Sequence, residues 1–434
     1  MMKPLWTYLL RLVQAQVIPA LGCTEPVAIA LAAAVARDQL GGLPDEIQVD
    51  VSANLYKNCL GVLVPGTGRA GADVAAAAGA AGGEATAGLE VLKGMTPDAV
   101  ETTFNLLNTG KIQVSVCTET DEEIYVSLTA RLGEDSMTVV IAGGHTRVCR
   151  IVRNGELLFS AEDEQDTPGI PHEPAQDYTF RDICDMAQQV PFSEIVFILQ
   201  AGSLNNVLSR QGLAGHFGLQ VGRSLHHHQR RGILSDDMLT EAMIRTSAAS
   251  DARMGGAQAP AMSNSGSGNQ GIAATVPVLV AAEYLDASRE ELARALFLSH
   301  LTAIWIHRTL PPLSAFCAAA TAGMGAAAAI CWLSGGDYPA MTRAVTCMVS
   351  DVAGMFCDGA SCGCALKLST TASAAVKSAI LGLEGCVVPE RDGITGTDID
   401  QTIASLGRVV TRGMPETDRE IIHIMSRKVH PASC

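Results

Sequence analysis

Thirteen cysteines in a chain of 434 residues are the first feature with chemical potential. Several sit where a thiol is only a small apolar side chain: Cys331 and Cys347 in apolar helical stretches, Cys117, Cys149 and Cys184 in strand-like or amphipathic runs. Others stand apart. Cys23 lies in LGCTEPVAIA, where Thr24 suits an N-cap, Glu25 the first turn, and Pro26 a position whose N–H would be unpaired anyway. Cys23 is thereby expected just before the positive end of a helix, a place that favours the thiolate, the form that ligates metal. Cys317, in PPLSAFCAAA, is expected in the first turn of a helix that Ser314 caps after Pro311 and Pro312 break the preceding one. Cys357 opens CDGASCGCALK, a glycine loop between helical runs that holds two more thiols, Cys362 and Cys364. No spacing here makes a zinc knuckle. Thiols at helix starts and in a glycine loop tilt the reading toward a shared metal cluster.

A second set of residues is polar. SNSGSGNQG supplies Ser263, Asn264, Ser265, Ser267 and Asn269 as hydrogen-bond donors, and its glycines let backbone N–H groups approach a ligand closely. Apolar or helical sequence flanks it on both sides, so a binding site is expected rather than a free linker. Arg253 is suited to pairing with a carboxylate. Candidates for a general base are Lys57 in NLYKNC, His145 in GGHTR and Lys367 after the Cys364 loop, with His145 and Lys57 ranked first. GTGRAG (66–71) is a literal G-x-G-x-x-G and raises a nicotinamide-dependent dehydrogenase as an alternative. Pro65 directly before the first glycine, and the lack of a clean strand after the helix, argue instead for a tight turn or a small-anion site. His226, His227 and His228 run into Gln229, Arg230 and Arg231 and read as a solvated loop.

The elements that must position these residues change period along the chain. Leu5, Leu9, Leu12, Val13 and Val17 have helical spacing that Pro19 ends, and VAIALAAAVARDQL is a helix closed by Gly41 and Gly42. EIQVDVSA alternates as a strand, CLGVLV is a strand or buried turn, and the Ala-rich stretch after Gly68 is helical. From Lys111 to about residue 163 five segments alternate as successive strands. An acidic, Pro-rich linker follows, and helical pattern runs from Phe180 to the end. The fold class is therefore α+β: a mainly helical body formed by residues 1–45 and 201–434, with a β-containing central domain at 46–200. Leu313 to Gly336 has no charged residue, but its Ala and Gly content suits a buried helix better than a bilayer span. The N-terminal stretch, with Arg11 inside its apolar run, is no secretory signal, which places the protein in the cytoplasm with reduced thiols. A net charge of −15 without a Lys/Arg run excludes nucleic acid and anionic membranes as partners. Small-residue helices and 48% hydrophobic residues are compatible with a homo-oligomer.

Taken together, GCTEP (22–26), VPGTG (64–68), RTSAASDARMGGAQAPAMSNSGSGNQG (245–271), the Cys317 helix and CDGASCGC (357–364) resemble the L-cysteine desulfidase family and, more distantly, the alpha-chain domain of iron–sulfur L-serine dehydratases. The resemblance covers essentially the whole chain. It implies an oxygen-sensitive 4Fe–4S cluster held by Cys23, Cys317 and Cys357, with Cys364 or Cys362 as a competing third ligand. It implies a lyase that converts a small amino acid, L-cysteine, to pyruvate, sulfide and ammonia without pyridoxal phosphate, or L-serine by the same mechanism. A non-enzymatic oxygen or iron sensor is a further alternative, weakened by the lack of a basic DNA-reading element. Thr24 joins the substrate-binding set. Cys434, on a terminal tail, is a candidate to reach an open iron.

Overall fold

The computed structural model describes residues 2–161 and 177–427. The linker read at 161–177 falls almost wholly outside this range, as does Cys434. Period-two segments become a six-stranded sheet in the spatial order Ile112–Val116, Glu46–Val51, Tyr125–Leu132, Asp135–Ala142, Val148–Arg153 and Glu156–Ser160. The first pair is parallel and every other pair antiparallel. Alternation sets the buried face: Val126, Leu128 and Ala130 point inward on one strand, Met137, Val139 and Ile141 on the next. The helices Thr24–Leu40 and Ala72–Gly82 cover that face. They touch almost backbone to backbone, since a Cβ on Gly79 would lie 2.1 Å from the Ala30 carbonyl oxygen. This contact explains the glycine of Ala72–Gly82 at that point and the alanines that face it on Thr24–Leu40.

The parallel pair needs a crossover. Part of it is a helix that the sequence reading did not anticipate, Pro97–Asn108, although Thr96 caps it by accepting from the Ala99 N–H and Pro97 occupies its first position. CLGVLV is a buried turn, with isolated bridges from Gly61 to Ser361 and from Leu63 to Ala70. The glycines of 66–71 form a tight turn closed by Val64 N–H to the Arg69 carbonyl, and no strand immediately precedes it.

The second core is helical. At its centre the helix Ala318–Leu333 is buried at every residue from Ala319 to Cys331 and is packed by Gly268–Tyr284, Arg289–His307, Tyr338–Val352 and Cys364–Leu383. Among the described residues no helix is long and apolar enough to cross a membrane. The helix Pro4–Gln16 joins this core, as does Phe180–Gln189. Thr24–Leu40, which the sequence grouped with the helical body, instead belongs to the sheet's core, because its Ala face needs the flat sheet and the Gly79 contact. The histidines at 226–228 lie on the helix Val221–Arg230, not in a loop.

Two links lock the cores together. Pro19–Ala20 pairs antiparallel with Ala261–Met262, a short ladder no pattern announced. Lys57 donates to Asp418 at 2.5 Å, both side chains nearly excluded from water, fixing the last helix, Pro415–Ser426, to the helix Ala53–Cys59. Removing one partner of a buried pair strands the other charge, at a cost of about 3–5 kcal/mol. Lys57→Met is expected to lower the unfolding midpoint sharply, and Lys57→Met with Asp418→Leu to recover much of the loss. Equal destabilisation by the single and double variants, measured by denaturant titration, would contradict this role for the pair.

Candidate active site

Each helix start singled out by a cysteine is real, but the local geometry differs from the sequence expectation. Cys23 is itself the N-cap of Thr24–Leu40, with Thr24 as the first helical residue. Cys317 is the N-cap of Ala318–Leu333; Ser314 does not cap that helix but accepts from the Phe316 N–H at 3.3 Å. Cys364 is the first residue of Cys364–Leu383. Cys357 lies in the preceding loop, where Cys357 N–H donates to the Ala315 carbonyl and Cys317 N–H to the Met355 carbonyl across the Phe316–Phe356 bridge. The chain thus brings Cys317 and Cys357 side by side, and the Cys317 thiol feels both Cys357 and Cys364. Cys23 borders Cys364 from the other side.

Helix N-termini alone would favour thiolates. Burial outweighs them. It pushes the Cys317 thiol up to about 12, helped by Cys357 and Cys364, and raises Cys23 and Cys364 as well. The expectation of a lowered thiol pKa at Cys23 is therefore reversed by burial, and the Cys23 Sγ–H donates to Glu25 Oε2 at 2.9 Å. Among the described residues no three His, Cys, Asp or Glu side chains already converge on a metal position. The donor set nevertheless fits an iron–sulfur cluster in kind. Thiols lie close together at the ends of two helices and in one loop, and a buried cation stands beside them. That cation is Arg253, whose Nε has no hydrogen-bond partner among the described residues and whose Nη1 donates to Met254 Sδ at 3.2 Å. Gly268 makes room for it, because a Cβ there would come within 2.3 Å of the Arg253 Nε.

Next to the thiols is a cavity of about 80 Å³. Four of the expected residues line it: His145, Ser265, Ser267 and Cys357. His145 arrives on the Gly143–Gly144 turn after the strand Asp135–Ala142. Burial holds its imidazole below the usual range, and its Nε2 is unpartnered, 3.9 Å from Glu25 Oε1. Gly266, at φ +79°, lets the loop pass against the ring; a Cβ would sit 3.0 Å from His145 Nδ1.

The remaining polar residues of the loop build the wall from behind. Ser263 donates to the Ile18 carbonyl at 2.6 Å, extending the Pro19–Ala20 ladder. Asn264 donates to the His300 carbonyl and Nδ1, both at 3.0 Å. Asn269 contacts Ser250 and Met254. Thr24 donates to Glu25 at 3.1 Å. Lys57 is engaged with Asp418, and Lys367 pairs with Asp358.

Four lining residues escaped the sequence reading: Glu25, Asn58, Gln270 and His307. Glu25 was legible only as a first-turn acid. Burial would raise its carboxyl, but His145, the Cys23 hydrogen bond and Arg253 hold it below the ordinary range. His307 ends the helix Arg289–His307 with Nδ1 unpartnered.

Comparison with known proteins bears on what such a cavity does. Residues 86–423 match the family model described as serine dehydratase alpha chain. UPF0597 proteins of Yersinia enterocolitica, Shigella sonnei and Escherichia coli are each 48% identical to this chain, over 98% of both sequences.

The buried histidines predict an acid limit on stability. Burial lowers His300 to about 3 and His307 to about 4. In the unfolded chain a histidine takes up its proton near pH 6.5. As pH falls below about 6.5 the unfolded state therefore binds protons that the native state refuses, and stability is lost progressively until those native values are reached. Denaturant midpoints are expected to fall from pH 7 to pH 5, and less steeply in His307→Gln. A midpoint flat across that window would refute the neutral, buried assignment.

Proposed function

The chain belongs to the serine dehydratase alpha-chain family, and on that premise we propose that it is a lyase eliminating the β-substituent of a small L-amino acid, with L-cysteine as its preferred substrate. The products are pyruvate, sulfide and ammonia. One observation carries the reading: an imidazole nitrogen of His145 without a hydrogen-bond partner among the described residues and the thiol of Cys357 belong to the lining of the same small cavity.

Serine dehydratase alpha chains are typically iron–sulfur proteins. Cys317, Cys357 and Cys364 are mutual neighbours, which supports them as the three ligands of a 4Fe–4S cluster. Cys23, which also borders Cys364, is the alternative third ligand that the family resemblance implies. Three thiolates leave one iron without a protein ligand, and when bound the cluster supplies a Lewis acid for the leaving thiol or hydroxyl. Arg253 and Lys367, with the helix ends at Cys317 and Cys364, offset the thiolate charge that burial otherwise penalises.

The other residues handle the substrate. His145 accepts the α-proton at Nε2, and the Glu25 carboxylate 3.9 Å away stabilises the imidazolium that results. Loss of the Cα proton and the Cβ–S bond forms the Cα=Cβ double bond of an enamine, which tautomerises and hydrolyses to pyruvate and ammonia. Ser265 and Ser267 supply hydroxyls along the wall, with Ser267 also capping the helix Gly268–Tyr284. A cluster with one iron left for the substrate would make the enzyme oxygen-sensitive and suit it to a reducing, cytoplasmic setting. L-Serine is the second reading, favoured by the family match itself.

Replacing Cys317, Cys357 or Cys364 with Ser is expected to abolish bound iron and turnover in anaerobic preparations, while Cys331→Ser and Cys347→Ser keep both. Iron retained in Cys364→Ser but lost in Cys23→Ser would move the third ligand to Cys23. His145→Asn should keep the iron and lower kcat by about 10²–10⁴-fold, the usual worth of a positioned base. Pyruvate should form faster from L-cysteine than from L-serine at equal concentration; the reverse order identifies a serine dehydratase. No pyruvate from either removes the lyase assignment.

A further inference from the structure

Two buried amides on the cavity wall each have a carbonyl oxygen without a hydrogen-bond partner among the described residues. Asn58 Nδ2 donates to Glu25 Oε1 at 3.0 Å. A carboxylate held ionised only accepts, so this end of the amide is the NH₂ and Oδ1 is the free end. Oδ1 is buried and has no partner. Gln270 Nε2 donates to Asn264 Oδ1 at 3.0 Å. The Asn264 amide is itself oriented by donation to the His300 carbonyl. Gln270 Oε1 is therefore also a buried carbonyl oxygen without a partner. Asn58 is 5% exposed and Gln270 0%, yet both line the cavity with Glu25. Two orphaned acceptors and one anionic carboxylate around one small space are an unusual debt, since nearly all buried polar groups are paired.

We infer that Asn58 and Gln270 are specificity-determining residues that accept from the α-ammonium group of the substrate, with Glu25 as the third acceptor. This rests on the β-elimination reading and names what selects its amino-acid substrate. An ammonium offers three N–H donors and a positive charge to these three acceptors. A hydroxyl at the same carbon offers one donor and leaves acceptors unpaired, the situation in which polar sites discriminate strongly. The cavity suits a ligand of this size: at about 80 Å³ it holds a handful of waters, each needing roughly 10–15 Å³.

The test uses ligands that cannot react. L-Alanine keeps the ammonium and carboxylate but has no leaving group; L-lactate replaces the ammonium with hydroxyl. With anaerobically purified full-length protein, calorimetric titration is expected to show L-alanine binding at least tenfold more tightly than L-lactate. Gln270→Leu and Asn58→Leu should each weaken L-alanine at least tenfold and L-lactate less than threefold. The inference is overturned if wild-type protein binds the two within threefold of each other, if it binds neither, or if a folded Gln270→Leu protein keeps its affinity for L-alanine. The wild-type comparison stands even if both leucine variants fail to fold. Because neither ligand turns over, these results are independent of pyruvate release: a protein that prefers L-alanine but yields no pyruvate keeps its ammonium site and loses the lyase reading.

Discussion

A buried carboxylate must be satisfied on the spot or give up its charge. Glu25 is the group around which that requirement organises this protein. It sits in the first turn of the helix that packs on the sheet, only 6% exposed. Its two oxygens collect the Cys23 thiol, the Thr24 hydroxyl and the Asn58 amide, and His145 and Arg253 help hold it below the ordinary range. These groups come from four structural sources. Cys23 and Thr24 come from the helix start, Asn58 from the helix after the first sheet strand, and His145 from a sheet hairpin. Arg253 comes from the helical body. Satisfying one carboxylate therefore requires both cores to be in register, and the cavity is the space left between the groups that do so.

Regular periodicity made the scaffold legible. The five alternating segments after Lys111 are strands, and the first strand and the Ala-rich helices are where their patterns put them. What escaped was short or set by distant contacts. The helix Pro97–Asn108 carries a good cap but a weak apolar stripe, with only Thr103 and Leu106 buried. The two-residue ladder at Pro19–Ala20 is too short to show alternation. Thr24–Leu40 is apolar on nearly all sides, so its pattern could not say which core it would join.

The site was legible in its thiols and its serine–glycine loop, because those residue types cluster locally in the sequence. Glu25, Asn58, Gln270 and His307 were not, since each reads as an ordinary helix residue until the fold brings them face to face. Burial also inverted one electrostatic argument. The helix-end position of Cys23 favours thiolate, yet desolvation dominates and raises the thiol. Thiolate here requires a cation, which is the sense in which metal binding and deprotonation are one event.

The wide spacing of the thiols along the chain has a consequence for how the protein is made. Cys317 and Cys357 meet only after the Phe316–Phe356 bridge forms, and Cys364 joins as the first residue of the helix that follows. Chains emerge from the ribosome N-terminus first. The sheet, with its short hairpins, has all its strands in hand when Ser160 has been synthesised, while the thiol neighbourhood waits for the helix beginning at Cys364. Cys23 spends that interval beside a carboxylate and an imidazole, with no neighbouring Cys364 yet made. Under the proposed ligand set, cofactor loading therefore waits until the chain has passed Cys364.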